Sequence, residues 1–363
     1  MENGSNLDTP YALIDGAASE SANVFEELQK QYSILADKSL TIEKRLNAFE
    51  LIIDSEIGDT SLIRAKSLER ELSIRQLFLK FEGGNPTGTQ KDRIAFAQCQ
   101  DALRRGFDAL TLATCGNYGV ACALAAKYAG LKCIIFIPDS YQTKRIDEMQ
   151  ELGAEIRREP GDYEDSVTAS QLFAETSDSY DANPGGKNTS LQLRAYGEIA
   201  KEIYDELRDA PRIVAAPVSN GTMLAGIYKG FLSLYRRGKT SRMPLIVAGS
   251  AFGKNPIILA YLQQKQTCED LDREQIKETS INEPLVNWHS FDGDLALEGI
   301  YGSHGWAANV SDQRMVSLSR LIREKEGLMV LPASTAGLAA LLQAPNPGMI
   351  QNDRFVVILT SRK

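Results

Sequence analysis

Gly83-Gly84-Asn85-Pro86-Thr87-Gly88-Thr89-Gln90-Lys91-Asp92-Arg93 joins a run that reads as a strand, Gln76 to Phe81, to one that reads as a helix, Ile94 to Arg105. Open α/β sheets present ligands in loops of this kind, at the carboxyl ends of their strands. Lys91 stands where the helix opens, with the helix dipole and free backbone amides facing the loop. An amine held there can be partly neutralised, as a Schiff-base nucleophile requires. Taken alone, such a loop is more often a plain turn that happens to contain an exposed lysine.

Outward from this loop the alternation continues. Ala109 to Ala113 reads as a buried strand, Val120 to Ala129 as an Ala-rich helix and Lys132 to Pro138 as a strand. Lys144 to Leu152 reads as a helix and Glu155 to Arg157 as a short strand. The second half repeats the pattern, with helices at Leu191–Arg208, Leu224–Arg236, Asp312–Glu326 and Thr335–Gln343. Its strands are Arg212–Pro217, Leu245–Gly249, Met329–Leu331 and Arg354–Leu359. Strands alternating with helices of this length imply right-handed crossovers and parallel sheets. Upstream, residues 22–53 carry apolar side chains at helical spacing and read as a helical arm after a loose polar start. Gln263–Asn287 and Ser290–Asn309 read as excursions, and Gly302-Ser303-His304-Gly305 as a candidate lid.

Two further loops follow strands. Thr114-Cys115-Gly116-Asn117-Tyr118-Gly119 exposes amides at a helix start, which suits a carboxylate or a plain tight turn. Pro217-Val218-Ser219-Asn220-Gly221-Thr222 has the composition of a phosphate cradle, but neither a P-loop nor the spaced glycines of a dinucleotide site. Thr360 ends the last strand.

Taken together these segments resemble the fold-type II enzymes of pyridoxal phosphate, and among them the threonine synthases. Asn85-Pro86-Thr87-Gly88-Thr89-Gln90-Lys91-Asp92-Arg93 is similar to that family's Asn-Pro-Thr-Gly-Ser-Phe-Lys-Asp-Arg. Cys115-Gly116-Asn117 looks like its Ser-Gly-Asn, and Pro217-Val218-Ser219-Asn220 like its Pro-Val-Gly-Asn. Leu331-Pro332-Ala333-Ser334 resembles its Glu-Pro-Ala-Ser, and Gly161–Asp165 and Ala251–Ile257 match in place and order. The resemblance covers about residues 55–363. It implies a two-domain α/β fold like that of the tryptophan synthase β subunit, with parallel sheets flanked by helices and the cofactor in the cleft between domains. Residues 85–190 would form the smaller domain, 55–84 with 191–363 the larger, and 1–54 an N-terminal extension.

The resemblance also implies roles. Lys91 would bind the cofactor covalently and then move protons on the substrate. Asn117 would orient the ring through its 3′ oxygen, and Ser219, Asn220, Gly221 and Thr222 would hold the phosphate. Thr360 would face the pyridine nitrogen, leaving it largely unprotonated. Thr114, Cys115 and Gly116 would take the substrate carboxylate, with Thr87 and Thr89 near the leaving group. The expected reaction is conversion of O-phosphohomoserine and water to threonine and phosphate. Alternatives are dehydration of threonine or serine, β-replacement on O-phosphoserine or O-acetylserine, and a catalytically silent relative that binds a ligand or a partner.

Departures from the family pattern fall on the substrate side: Gln90 for an aromatic residue, Cys115 for Ser, Leu331 for Glu, and no arginine just after Asn183-Pro184. Composition says nothing against small-molecule chemistry. The 363 residues are 43% hydrophobic and 24% charged, ordinary for a globular chain, which excludes disorder and collagen. A net charge of −8 disfavours sequence-independent nucleic-acid binding. Five cysteines without a C-x-x-C pair and two histidines, His289 and His304, indicate neither a disulfide framework nor a metal site. The N-terminus lacks a signal-peptide pattern and no run is long enough to span a membrane, so a cytoplasmic enzyme is expected, with no nucleic-acid or membrane partner. The family is commonly dimeric, so a homodimer is expected, the helical arm packing across the partner.

Overall fold

Strands made of consecutive apolar residues need cover on both faces, which a parallel sheet obtains from its crossover helices. The computed structural model, which describes residues 25–114, 116–142, 145–350 and 352–363, has two such sheets. In chain order the larger contains β1 (Leu62–Arg64) and β2 (Leu77–Phe81). The smaller follows with β3 (Ala109–Ala113), β4 (Lys132–Pro138), β5 (Glu155–Glu159) and β6 (Tyr180–Asp181). The larger resumes with β7 (Ile213–Pro217), β8 (Leu245–Ala251), β9 (Trp306–Val310) and β10 (Phe355–Leu359). Strand order is β1-β2-β10-β7-β8-β9 in the larger sheet and β5-β4-β3-β6 in the smaller. All pairs are parallel except β1 with β2.

The helices are α1 (residues 25–36), α2 (Ile42–Glu56), α3 (Lys66–Leu72), α4 (Lys91–Arg104), α5 (Asn117–Ala129), α6 (Arg145–Glu151) and α7 (Tyr163–Thr176). They continue with α8 (Thr189–Leu207), α9 (Thr222–Arg236), α10 (Pro256–Leu262), α11 (Gly293–Gly302), α12 (Asp312–Glu326) and α13 (Ala336–Leu341). Alternate residues of the larger sheet feed two cores. Val214, Ala216, Ile246, Ala248, Val356 and Ile358 face α8 and α9, in a cluster that runs on through α4 and α5 into the smaller sheet. Ile213, Ala215, Val247, Phe355, Val357 and Leu359 face α3, α12 and α13. The far side of the smaller sheet is closed by α7, through Val167 on Ala113, Ile134 and Phe136.

Four expectations are corrected. The single arm over 22–53 is two helices, of which residues 22–24 lie outside the described residues. The break comes at 37–41, where Asp37 Oδ1 accepts the Ser39 amide (2.9 Å) and Thr41 caps α2. The apolar face of α2 is buried in this chain's own core, and Arg45 donates to the carbonyls of Leu35 (2.8 Å) and Ala129 (2.6 Å). Met329–Leu331 is not a strand: Val330 makes one isolated bridge to Arg362, and Pro332 follows directly. Ser290–Asn309 is not an excursion but contains α11 and β9. Its glycines read as loop punctuation, yet they mark close packing. A Cβ on Gly305 would stand 1.8 Å from the Ile246 carbonyl oxygen. The segment 302–305, expected as a lid, is the tight turn between these two elements. Helix α7 went unread, although Asp162 and Asp165 form a capping box at its start.

Beneath the 85–93 loop lies a buried ion network. Arg93 pairs with Glu82 and Glu202 (2.6 Å each), and Lys80 pairs with Glu202 (2.6 Å). Asn85 reaches the Glu82 carboxylate (3.2 Å), and its own side-chain oxygen takes the Gly58 amide (2.9 Å). Burial pushes the Glu202 carboxyl up, but Arg93 and Lys80 outweigh it and hold the group down at about 2. Removing one member of such a set strands the others without a partner. Arg93→Ala is expected to cost about 3–5 kcal/mol, seen as a lower denaturant midpoint. A neutral substitution of Glu202 would also lose its stabilisation at neutral pH, a contribution that in the parent protein disappears only as pH falls from the unfolded value toward 2.

Candidate active site

The cleft between the two sheets holds a cavity of about 310 Å³. Both sheets present the carboxyl ends of their parallel strands to it: Thr114 follows β3, Pro217 ends β7 and Thr360 follows β10. No helix among the described residues is long and apolar enough to cross a membrane, and none of their His, Cys, Asp or Glu side chains gather into a metal-binding group.

Lys91 is the first residue of α4, and Thr89 Oγ1 accepts its backbone amide (3.1 Å). Its Nζ lies 5.3 Å from the centre of the Tyr118 ring. No carboxylate pairs with it among the described residues. Burial drives its pKa down to about 8, against weaker opposing pulls from Cys122 and Asp292. This is the electrostatic setting of a lysine kept partly neutral for covalent chemistry. Tyr118 is itself fixed, its hydroxyl donating to the Ala182 carbonyl (2.6 Å).

The floor is laid by Pro217–Thr222. Gly221 has φ +98°, and a Cβ there would fall 2.6 Å from the Asp292 carbonyl oxygen. Thr222 opens α9, a 15-residue helix whose first amides have no helical partner. The loop's shape is imposed from behind. Thr222 Oγ1 donates to Asp292 (2.5 Å), Asn255 Nδ2 to the Ser219 carbonyl (3.1 Å), and Asn287 Nδ2 to Asn220 (3.4 Å) and Ser290 (2.7 Å). Across the cleft, Asn220 Nδ2 donates to the Tyr163 hydroxyl (3.3 Å). The same cross-cleft seam joins Trp288 Nε1 to Asp162 (2.8 Å) and Arg273 to Asp162 (2.5 Å).

At the opposite end, Thr360 Oγ1 and Ser334 Oγ lie 2.9 Å apart, and Ser334 Oγ also meets Ser361 Oγ at 2.9 Å. The Gln90 amide donates to the Thr360 carbonyl (2.9 Å), tying this end to the lysine loop.

Of the residues expected at the site, Lys91, Thr114, Gly116, Asn117, Ser219, Asn220, Gly221, Thr222 and Thr360 all line the one cavity. Cys115 lies outside the described residues. Thr87 and Thr89 do not line the cavity. Thr87 gives its amide (3.1 Å) and hydroxyl (2.9 Å) to Asp92, and Thr89 is buried against Ser361. Both shape the lysine loop from behind. Tyr118, Ser334 and Asp292 were not singled out from the sequence. Ser334 lay inside a quoted motif, whereas nothing near Asp292 in the chain marks it.

A family model described as pyridoxal-phosphate dependent enzyme matches residues 53–361. Threonine synthase of Methanocaldococcus jannaschii is 29% identical over 306 residues, 84% of this chain and 74% of that one. Threonine synthase of Bacillus sp. (strain ULM1) is 29% identical over 302 residues, 83% of this chain and 81% of that one. Among solved structures, maize serine racemase superposes with a TM-score of 0.72 at 19% identity, covering 87% of this chain and 92% of that one. The processed form of threonine deaminase isoform 2 from Solanum lycopersicum gives 0.69 at 16% identity, covering 88% and 89%. At those identities the structural likeness speaks for the fold.

Two outcomes test the site. Covalent capture of pyridoxal phosphate, followed by visible absorbance, should speed up as pH rises toward 8 and level off above it, as the Lys91 amine loses its proton. Lys91→Ala should show no such band. Gly221→Ala forces a side chain into a left-handed backbone, a strain of about 1–3 kcal/mol. Pyridoxal phosphate should bind it correspondingly more weakly in equilibrium dialysis.

Proposed function

The chain belongs to the pyridoxal-phosphate dependent enzymes, and on that premise we propose that it carries out the threonine synthase reaction, turning O-phosphohomoserine and water into threonine and phosphate. Elimination or replacement on an amino acid by a lyase of this cofactor class is the coarser statement, and the two threonine synthases above agree with it. The observation that carries the reading is the pairing of a lysine with a lowered pKa and a neutral hydroxyl pair, Thr360 with Ser334, in one cavity.

The residues present fit the cofactor. A buried amine with no carboxylate paired to it among the described residues, a helix start shaped by a glycine of positive φ, and a hydroxyl pair between strand end and turn match its aldehyde, phosphate and ring nitrogen. Lys91 Nζ would hold it covalently, the amides and hydroxyls of Ser219–Thr222 would bind its phosphate, and Asn117 would orient its 3′ oxygen. Bound pyridoxal phosphate supplies the electron sink that weakens bonds at the substrate's α-carbon. Thr360 would face the ring nitrogen with a hydroxyl and not a carboxylate, which would moderate that sink and suit β and γ elimination or replacement over transamination. Lys91 then takes and returns protons at the substrate's carbons. Thr114 and the amide of Gly116 would take the substrate carboxylate. Arg145, which lines the cavity at the start of α6, brings a cation for the leaving phosphate. We also propose a cytoplasmic homodimer; among the described residues the thiols of Cys99, Cys122, Cys133 and Cys268 are free, which suits a reducing compartment.

Holoenzyme incubated with O-phospho-L-homoserine should release phosphate and threonine together. Ammonia and a keto acid from threonine, or turnover of O-phosphoserine or O-acetylserine in its place, would overturn the substrate assignment while leaving the cofactor class intact.

A further inference from the structure

Replacement by water releases a proton while Lys91 serves the substrate's own carbons, and either the departing phosphate or a carboxylate in the cavity can take it. The cavity wall formed by the turn Glu283–Leu285 carries one. Glu283 lines the cavity and accepts the Tyr141 hydroxyl from the smaller sheet's side (3.1 Å), and among the described residues no cation pairs with it. The turn is held at both ends of the site. The Leu285 carbonyl takes Ser250 Oγ (3.2 Å) and Asn255 Nδ2 (3.4 Å), and Asn255 in turn holds the Ser219 carbonyl. On its other side the turn packs on Pro332–Thr335, which brings Ser334 to Thr360. The turn that carries Glu283 therefore lies on the wall between the phosphate loop and the far hydroxyl pair, and its carboxylate meets Tyr141 there. Burial, with Glu278 beside it, raises its pKa and makes it a better base than an exposed carboxylate.

We propose that Glu283 is the base that deprotonates the incoming water, an inference that rests on the replacement reaction proposed above. The water O–H bond breaks, its proton passes to a Glu283 oxygen, and the freed electron pair forms the new C–O bond at the substrate's β-carbon. The phosphate has already left with the electrons of its own C–O bond. The proton on Glu283 then goes to solvent, matching the one the phosphate takes up as it departs. Among the described residues, Tyr141 and Glu278 act on Glu283 directly, and Lys91, Arg145, Tyr118, Tyr163 and Tyr196 are the other titratable groups lining the same cavity.

Holoenzyme and its Glu283→Gln variant are compared with O-phospho-L-homoserine, measuring phosphate, threonine and 2-oxobutyrate. The variant should lose threonine formation by about a hundred-fold, the low end of what a positioned base contributes. Phosphate release should fall less, with 2-oxobutyrate and ammonia making up the difference, since the eliminated substrate goes uncaptured. An unchanged ratio of threonine to 2-oxobutyrate overturns the assignment of Glu283 alone. Wild-type enzyme that bears the visible cofactor band but releases no phosphate overturns the parent reaction, and this inference with it. Tyr141→Phe gives an independent reading, because it keeps the carboxylate but removes its donor. The threonine fraction should climb at higher pH than in wild type, and a superimposable profile counts against Glu283 whatever the fate of the Gln variant.

Discussion

Two backbone hydrogen bonds decide where the chemistry can happen. The Gln90 amide donates to Thr360 and the Arg362 amide donates to Gly88, both at 2.9 Å, so the loop that opens α4 is stitched to the tail that leaves β10. β10 sits between β2 and β7 with every residue buried, so the tail inherits the stiffness of the sheet's centre. The spacing between the lysine and the Thr360–Ser334 pair is thus a property of the larger sheet. The ion network of Lys80, Glu82, Arg93 and Glu202 closes the same loop from below. Thr87 and Thr89 work in this assembly, turned away from the cavity and toward the loop's own backbone.

The loop proposed to hold the phosphate is governed differently. Ser219, Asn220, Gly221 and Thr222 would supply the groups, but their positions are set by Asn255, Asn287, Ser290 and Asp292, from a later part of the chain. That part also reaches the smaller sheet's side of the cleft, through Trp288 and Arg273 on Asp162. One later stretch of the chain therefore both shapes this loop and spans the cleft.

This explains what could be read in advance. Ala109–Ala113 and Lys132–Pro138 are strands at the boundaries their apolar runs suggest, because both faces are buried and few other structures fit such runs. The residues that touch the cavity after strand ends were likewise visible, since sheet topology alone brings strand ends together. The supporting residues were not. Asp292 and Glu283 sit in polar, irregular sequence whose meaning depends on contacts with distant segments. The glycines of 290–309 signalled a loop, although at Gly305 the missing side chain makes room for the Ile246 backbone. Val330 failed as a strand for the converse reason: its apolar neighbours suggest pairing, but the chain turns at Pro332 after one bridge.

The position of β10 has a consequence for how the protein comes into being. β2 and β7 are made early and in mid-chain, yet the strand that lies between them is encoded by residues 355–359. The smaller sheet, by contrast, draws all its strands from one continuous stretch between residues 109 and 181 and can form while synthesis proceeds. Until β10 arrives, the larger sheet has a gap at its middle, with two apolar edges exposed to unwanted pairing. Such long-range closure is slow. The lysine loop is stitched to that same late strand, so a growing chain cannot set Lys91 into the cleft before the larger sheet is complete.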